Sequence, residues 1–268
     1  MNPCLTPMDK NSPTDTIAGA IEAGNAILIR EFPVHPDPLR EFLGRLGNLQ
    51  SDYTSLIAGE DANPSFGFNI VRPKKQSGSF VRTHFRSSDL PPHNARSWAK
   101  LRPKFFAMLM VDPGWRDQQT YQNGESFFVD WHRAFALALS RDPRQAEMDF
   151  KLLSTEPVQF CADNVREPNN EGPLIYRIEN RPPEHEWGIR IKQNLPEVLL
   201  AMGRDDLAGA VQRMQAAAHE LGRKQVVALE RGDLVIIDNN RWAHGRFSFE
   251  LMRGSVLNPR EVWSTTIL

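Results

Sequence analysis

The stretch Gly232–Arg246, with the sequence GDLVIIDNNRWAHGR, decides the fold. It contains an apolar run from Leu234 to Asp238 that has the length of a buried strand and ends at a polar turn. Beyond the turn the chain reaches His244, which we expect on a short loop. A histidine just past a rigid apolar strand is well placed to offer a ring nitrogen to a metal, although such a histidine often has only a structural role. Other motifs in the chain are needed to tell a metal ligand from a structural histidine.

The size and charge of the chain are those of an ordinary globular protein. It has 268 residues and a net charge of −1 at pH 7, and 40% of its residues are hydrophobic. A single domain is expected, because folds rich in β-strands often reach this size undivided. Since basic residues are not in excess, neither nucleic acid nor a membrane surface is an expected partner. We expect a small-molecule ligand, and the oligomeric state stays open.

The cysteines and the N-terminus predict a cytoplasmic protein. Two cysteines, Cys4 and Cys161, are too few for a disulfide framework or a thiolate metal site. The polar N-terminus has no apolar segment of signal-peptide length, and no apolar run is long enough to span a bilayer. We expect residues 1–15 to be a flexible tail and residues 16–268 to form one domain.

Hydrophobic periodicity predicts a mixture of helices and strands. The predicted helices cover residues 16–24, 39–46, 131–140 and 197–222. The predicted strands cover residues 26–30, 66–71, 105–111, 158–161, 174–178, 188–191, 234–238 and 263–268. The helix over 197–222 is the clearest, because Leu207, Val211, Met214 and Ala218 share one face and Gly222 provides a stop. These elements alone allow any mixed α/β domain.

Two motifs upstream of His244 and one arginine downstream of it indicate which of these folds the chain adopts. The segment Leu90–Ala95, LPPHNA, places His93 ten residues before Pro103, where an apolar strand starts. The segment NGESFFVDW contains Ser126, and Arg260 lies sixteen residues beyond His244. In these features the chain resembles the taurine dioxygenase and clavaminate synthase group of Fe(II)/2-oxoglutarate oxygenases over about residues 16–268.

The resemblance implies both a fold and a set of site residues. The implied fold is α+β and mainly β, with a double-stranded β-helix (jelly roll) core and flanking helices. His93 and His244 would bind Fe(II), and Ser126 and Arg260 would bind 2-oxoglutarate. In the family, two histidines and one carboxylate on one face of an iron leave three open positions, two for the 2-oxo acid and one for O2, whose joint chemistry yields succinate and CO2. Arginine suits the far carboxylate of the co-substrate because its planar fork pairs bidentately.

Two further arginines are candidates for roles in such a site. Arg253, nine residues past His244, competes with Arg260 for the co-substrate carboxylate. We prefer Arg260 because it immediately precedes the last predicted strand. Arg190, in the segment WGIRI, corresponds to an arginine-bearing strand near the substrate in relatives, and it is a tentative substrate contact.

The chain departs from the family at Ala95, where relatives carry the aspartate or glutamate that binds iron. Three interpretations follow. In the first, chloride or another anion fills the position, as in family halogenases in which alanine or glycine replaces the carboxylate. In the second, iron is held by two histidines with water, or with a carboxylate from elsewhere such as Asp89, and the enzyme hydroxylates or desaturates. In the third, the site is inactive and the fold serves as a ligand-binding or regulatory domain.

The other histidines give weaker candidates. His84 in place of His93 would put Arg86 at the carboxylate position and is disfavoured by its charge and by the spacing to Pro103. His35, His132 and His219 are expected to be structural or on the surface. His185, between Glu184 and Glu186, is expected in a substrate lid or a solvated loop.

Asn94 and Arg96 are the neighbours of Ala95 in the chain. Each is either a supporting residue of the iron site or a solvated loop residue. Trp131 and Trp242 are expected in the core rather than in the walls of a pocket.

The function predicted from the sequence is Fe(II)/2-oxoglutarate-dependent oxidation of a small molecule, by halogenation or hydroxylation. The substrate class is an amino acid or a derivative from specialised metabolism. The alternative is a non-catalytic family member that binds a ligand. Loops over residues 51–80 and 163–188 are expected to select the substrate.

Overall fold

The computed structural model describes residues 4–50, 67–74, 86–162, 165–179, 181, 183 and 186–268. Within these residues the helices are α1 (Thr14–Glu22), α2 (Pro36–Gly44), α3 (Trp131–Arg141), α4 (Pro143–Thr155), α5 (Leu195–Ala201) and α6 (Asp205–Lys224). The strands are β1 (Leu5–Met8), β2 (Ala26–Ile29), β3 (Asn69–Val71), β4 (Leu90–His93), β5 (Phe105–Asp112), β6 (Ser126–Asp130), β7 (Val158–Ala162), β8 (Val165–Gly172), β9 (Ile175–Arg177), β10 (Trp187–Ile189), β11 (Val226–Val227), β12 (Leu234–Asp238), β13 (Trp242–Arg246), β14 (Met252–Arg253), β15 (Val256–Leu257) and β16 (Glu261–Ile267).

Two sheets form the centre of the molecule. The larger has the strand order β1-β2-β12-β5-β16-β3, and the smaller has the order β11-β6-β13-β4. Every pairing in them is antiparallel except that of β1 with β2. Shorter antiparallel pairs join β7 to β8, β9 to β10 and β14 to β15.

The two sheets pack face to face because alternate residues of each strand point to opposite sides. Phe106 and Met108 of β5 and Val235 of β12 share a buried cluster with Phe128 and Trp242 of the smaller sheet. Ala95 belongs to this inter-sheet core, and the ring of His244 stacks on Phe106 within it.

Helices cover the outer face of each sheet. The other residues of β5, such as Phe105 and Leu109, pack with Ile17 of α1 and Leu39 of α2. On the far side, Phe127 and Val129 of β6 pack against α3 to α6, together with Ala210 and Val211. The molecule is thus layered as helices, sheet, sheet and helices, and the predicted mixture of helix and sheet is confirmed.

Three sequence predictions need correction. His244 lies inside β13, not on a loop, because Trp242–Arg246 pairs with β6 on one side and β4 on the other. Residues 1–15 are not a flexible tail where they are described, since β1 pairs in parallel with β2 and α1 begins at Thr14. The predicted helix over 197–222 is two helices, α5 and α6, separated at Gly203.

Two elements of the insertion between β6 and β11 were not predicted, namely α4 and β8. Helix α4 begins with a proline after Asp142, whose carboxylate accepts a hydrogen bond from the Gln145 N–H. Of the helices that the structure describes, none is long and apolar enough to cross a membrane.

Candidate metal centre

The two predicted iron ligands lie side by side in the smaller sheet. His93 ends β4 and is the direct cross-strand partner of His244 in β13. Their ring centroids are 4.2 Å apart and the rings are tilted by 48°. The ring of His244 also stacks on Phe106 of the larger sheet, with a centroid separation of 4.2 Å. Both imidazoles therefore lie between the sheets, close enough together to reach one ion.

Both histidines are neutral and have a ring nitrogen available for a metal. Burial lowers the pKa of His93 to about 4. Its Nδ1 lies 2.8 Å from the Pro91 carbonyl oxygen, which only accepts, so Nδ1 carries the proton and Nε2 keeps its lone pair. Burial and the neighbouring His93 hold the pKa of His244 well below its usual value. Neutral imidazoles are the form that binds a transition metal.

Gly245 is needed for this arrangement of β13. Residues alternate along the strand, so Gly245 faces the helix side between the inward-facing His244 and Arg246. A side chain at position 245 would collide with the ring of Phe127, and its Cβ would lie 2.7 Å from the Leu90 carbonyl oxygen. Because residue 245 is a glycine, β4 and the ring of Phe127 can both lie close to β13. This close packing keeps His93 and His244 in register.

Asn239 fixes the backbone at Ala95, the position of the missing carboxylate. Its Oδ1 accepts a hydrogen bond from the Ala95 N–H at 2.9 Å, and its Nδ2 donates to the Ala95 carbonyl oxygen at 2.9 Å. Ala95 and Asn239 are both buried, and the methyl group of Ala95 belongs to the inter-sheet core. The residue two positions past His93 is thus held rigidly but offers no ligand atom.

Asn94 ties the same segment to the insertion. Its Nδ2 donates to the Asn239 carbonyl oxygen at 2.7 Å, and its Oδ1 accepts from the Ile191 N–H at 3.0 Å. The neighbouring Arg96 is also buried, adopts a φ of 49° and lies over the ring of Trp98. Neither Asn94 nor Arg96 is a solvated loop residue, which excludes one of the two interpretations offered for them.

Asp89 does not replace the missing ligand. Between Arg246 and His244 the pairing of β13 with β4 shifts by one residue, and this irregularity turns Asp89 toward the helices. Its carboxylate accepts a hydrogen bond from the Ser248 N–H at 2.7 Å and faces His219 of α6 at 3.7 Å. In the described part of the chain, no group of three or more His, Cys, Asp or Glu residues is placed to hold a metal ion.

Two buried arginines lie next to the histidines on the inner face. Ser126 of β6 is the direct cross-strand partner of Arg246, two residues past His244. Arg246 and Arg260 are both buried, and the charge of Arg260 helps burial to hold the pKa of Arg246 well below its usual value. Burial also lowers the pKa of Arg260 to about 10, so its guanidinium stays charged at neutral pH.

Arg260 has an unused hydrogen-bond donor. Among the residues that the structure describes, none accepts a hydrogen bond from its buried Nε. Gly124 leaves room beside this atom, because a Cβ there would lie 3.0 Å from Nε. A buried guanidinium with an unsatisfied donor fits the carboxylate of a ligand.

The guanidinium of Arg253 is already paired with carboxylates. It forms ion pairs with Asp117 and, at 2.5 Å, with Glu250, and its guanidinium lies over the ring of Trp115. Its side chain is 36% exposed. These contacts favour Arg260 over Arg253 as the arginine that would bind the carboxylate of the co-substrate.

Arg190 is buried at the end of β10. Its guanidinium carbon lies 3.5 Å from the centre of the Phe160 ring, and its Nε donates to the Pro173 carbonyl oxygen at 3.2 Å. The next residue in the chain, Ile191, donates its backbone N–H to the side-chain oxygen of Asn94.

The remaining candidates have structural contacts or lie outside the described residues. His132 stacks on Trp187 at 3.7 Å, His219 faces Asp89, and His35 caps α2. Trp131 and Trp242 are buried in the core, as predicted. His84, Glu184 and His185 lie outside the described residues.

Comparison with known proteins agrees with this geometry. The family model described as "Taurine catabolism dioxygenase TauD, TfdA family" matches residues 5–265. The chain belongs to this family. The predicted resemblance and the predicted enzyme class are thereby confirmed. A search of curated protein sequences found no match.

Several solved structures share the fold at low sequence identity. PvcB, described as an Fe, α-ketoglutarate-dependent oxygenase from an isonitrile synthetic pathway and known from Pseudomonas aeruginosa, is 17% identical, with a TM-score of 0.58 over 98% of this chain and 85% of its own. Asparagine oxygenase (AsnO) is 16% identical, with a TM-score of 0.59 over 95% of this chain and 77% of its own. The oxygenase OrfP, solved with Fe and α-ketoglutaric acid, is 15% identical, with a TM-score of 0.58 over 95% of this chain and 79% of its own. The predicted cofactors Fe(II), 2-oxoglutarate and O2 agree with the family and with these descriptions.

Two residues of the site were not predicted from the sequence. Arg246 could have been found by strand alternation, because it lies two residues past His244 and so on the same face of β13. Asn239 gives no such pattern, since its role depends on contacts with Ala95, 144 residues away in the sequence.

Proposed function

We propose that this chain is an Fe(II)/2-oxoglutarate-dependent enzyme that oxidises a small molecule, an amino acid or an amino-acid derivative. The observation that carries the proposal is the pair of buried neutral histidines, His93 and His244, beside the buried Arg260 with its unused donor. The proposed active unit is a single domain that includes β1, which pairs with β2 in the larger sheet, and the two facing sheets are its jelly roll. That AsnO and OrfP were solved with hydroxylated amino acids supports the substrate class.

Each site residue has a distinct task in this proposal. Fe(II) with 2-oxoglutarate and O2 would supply the oxidative decarboxylation that drives removal of a hydrogen atom from the substrate. His93 and His244 would hold the metal, and the Pro91 carbonyl oxygen orients the His93 ring. Arg260 pairs with the far carboxylate of 2-oxoglutarate, and Ser126 and Arg246 supply a hydrogen bond and a second positive charge. The inter-sheet core, including Phe106, excludes bulk water.

For the third protein ligand position, we propose that an exogenous anion such as chloride takes the place of the carboxylate missing at Ala95. The alanine is held rigidly, and Asp89 is turned away toward His219. Halogenation is then the expected outcome, and hydroxylation is expected if water takes the position. In the non-catalytic alternative, the unsatisfied donor of Arg260 would bind a ligand without turnover.

The role of Arg260 is tested by calorimetric titration of 2-oxoglutarate into the Fe(II)-loaded protein under anaerobic conditions. Arg260→Gln should weaken 2-oxoglutarate binding at least about tenfold, because a buried charged partner is lost. The matched control is Arg253→Gln, which removes an arginine that faces the surface and should leave the affinity unchanged. Equal affinities for wild type and Arg260→Gln would contradict the proposal.

The anion at the Ala95 position is tested by measuring Fe(II) affinity with and without chloride at constant ionic strength. Chloride should strengthen Fe(II) binding by the wild type. Ala95→Asp supplies its own ligand, so its Fe(II) affinity should be independent of chloride. A wild-type affinity that chloride does not change would overturn the halogenase interpretation and favour hydroxylation.

A further inference from the structure

The two histidines of the candidate metal centre are held in different ways. The Nδ1 of His93 is fixed by the Pro91 carbonyl oxygen at 2.8 Å. The ring of His244 lies nearly parallel to the ring of Phe106, with an interplanar angle of 14° and a centroid separation of 4.2 Å. Among the residues that the structure describes, none hydrogen-bonds to the buried Nδ1 of His244. The described contacts therefore orient His93 by a hydrogen bond and His244 by packing.

The stack on Phe106 limits the rotation of the His244 ring. Because the two rings are in contact and nearly parallel, turning the imidazole about its Cβ–Cγ bond would drive its edge into the face of Phe106. The ring of His93 also lies close to it, with a centroid separation of 4.2 Å and a tilt of 48°. The direction in which the ring nitrogens of His244 point therefore depends on the position of Phe106.

Phe106 is itself held on a rigid element. It lies in β5, inside the larger sheet, where its direct cross-strand partners are Ile237 of β12 and Thr266 of β16. Its side chain is buried in the inter-sheet core. Side chains carried on paired strands are placed more precisely than side chains on loops. The stack thus fixes a ring of the smaller sheet against a fixed position in the larger one.

We propose that Phe106 is a positioning residue for the metal, and that its flat face orients the ring of His244 for binding Fe(II). The inference rests on the proposed function and adds to it a residue outside the set of metal and co-substrate ligands. A metal-binding histidine is usually oriented by a hydrogen-bond acceptor on its other ring nitrogen, and the loss of that partner typically lowers metal affinity by about 10- to 100-fold. In His244 an aromatic face takes over this task.

The test is an anaerobic calorimetric titration of Fe(II) into the full chain. Phe106→Leu and Phe106→Met keep an apolar side chain in the core but remove the flat ring, so the imidazole of His244 can sample other orientations. Each variant should bind Fe(II) about tenfold more weakly than the wild type. The visible absorption spectrum of bound Co(II), which responds to the arrangement of its ligands, should change in both variants.

The matched control is Phe105→Leu. Phe105 is the preceding residue of β5 and is also buried, but it packs toward α1 and α2 instead of the inter-sheet core. Its substitution should lower the urea midpoint about as much as Phe106→Leu does, because both remove part of a buried ring. The Fe(II) affinity and the Co(II) spectrum should stay those of the wild type.

Two results would overturn the role of Phe106. One is unchanged Fe(II) affinity and an unchanged Co(II) spectrum in the folded Phe106 variants. The other is an equal loss of affinity in Phe105→Leu, which would mean that general loosening of the core weakens binding. A folded wild type that binds neither metal would contradict the proposed function and this inference together, whereas tight binding by wild type and Phe106 variants alike contradicts this inference alone.

Discussion

At the scale of single residues, Asn239 holds the backbone beside His93 in place. Its amide makes both possible hydrogen bonds to the backbone of Ala95, and both residues are buried. Because the family places a metal ligand at this position, the amide holds the backbone of a ligand-bearing segment even though the ligand is absent.

Replacing Asn239 by alanine should lower the free energy of unfolding by about 2 kcal/mol, because one buried N–H and one buried C=O lose their partners. Fe(II) affinity should fall as well, since the segment after His93 loosens. Urea unfolding and anaerobic Fe(II) titration measure the two effects. Asn25→Ala, at an exposed position, is the control and should change the unfolding free energy by well under about 1 kcal/mol.

Protonation of His93 should make the metal-free protein less stable in acid. The pKa of His93 is about 4 in the folded chain and near its ordinary value of 6.5 when unfolded. Between these values the unfolded chain binds more protons, so the free energy of unfolding falls as pH decreases from 6.5 to 4 and is unaffected by this group above 6.5. The loss is at most about 3 kcal/mol. His93→Gln should flatten this part of a pH series of urea midpoints, and an unchanged slope would show that His93 is not buried as described.

At the scale of elements, the break between α5 and α6 shows where helical periodicity misleads. Apolar spacing continues across residues 197–222, but Gly203 adopts a φ of 70°. The Arg204 N–H donates to the Leu199 carbonyl oxygen and the Gly203 N–H donates to the Leu200 carbonyl oxygen, which is the usual glycine-terminated helix end. A glycine within a periodic run can therefore end a helix even where the apolar spacing continues past it.

Gly203→Ala should destabilise the protein by about 1 kcal/mol, because alanine resists the left-handed conformation. Nothing lies within 4 Å of the added methyl group, so backbone strain alone is measured. Gly19→Ala within α1 has equally open surroundings and should stabilise by about 0.5 kcal/mol through helix propensity. Urea midpoints of opposite sign support the assignment of Gly203 as a helix end, whereas stabilisation by both substitutions contradicts it.

Strand alternation was the most informative local pattern for the site. It places Trp242, His244 and Arg246 on the inner face of β13, and Phe106 opposite them on β5. The sequence predicted the strand before the turn but not β13 itself, because His-Gly-Arg is not an apolar run. Pairing with β4 and β6, not local propensity, makes this segment a strand.

At the scale of the whole molecule, the sequence predicted the mixture of helices and strands and elements with a clear apolar pattern such as β2, β5 and β12, but it missed strands such as β1, β4 and β13. It could not predict the pairing of β4 with β13, since the two strands are far apart in the chain and both contain polar or proline residues. The candidate residues came from the spacing typical of the family, and the structure brings His93 and His244 together and Arg260 close to Arg246. The orientation of Asp89 depends on a one-residue shift in the pairing of β4 with β13, which no sequence pattern indicates.

We propose that His93, His244 and Arg260 together form a site for Fe(II) and 2-oxoglutarate. The most direct measurement is an anaerobic titration of the Fe(II)-loaded chain with 2-oxoglutarate, followed by the weak visible charge-transfer absorption of a keto acid chelated to iron. The wild type should develop this band, His244→Gln should lose it, and Arg260→Gln should need about tenfold more 2-oxoglutarate to reach it. A folded wild-type protein that shows no band would contradict the claim and leave a family member that binds its ligand without turnover.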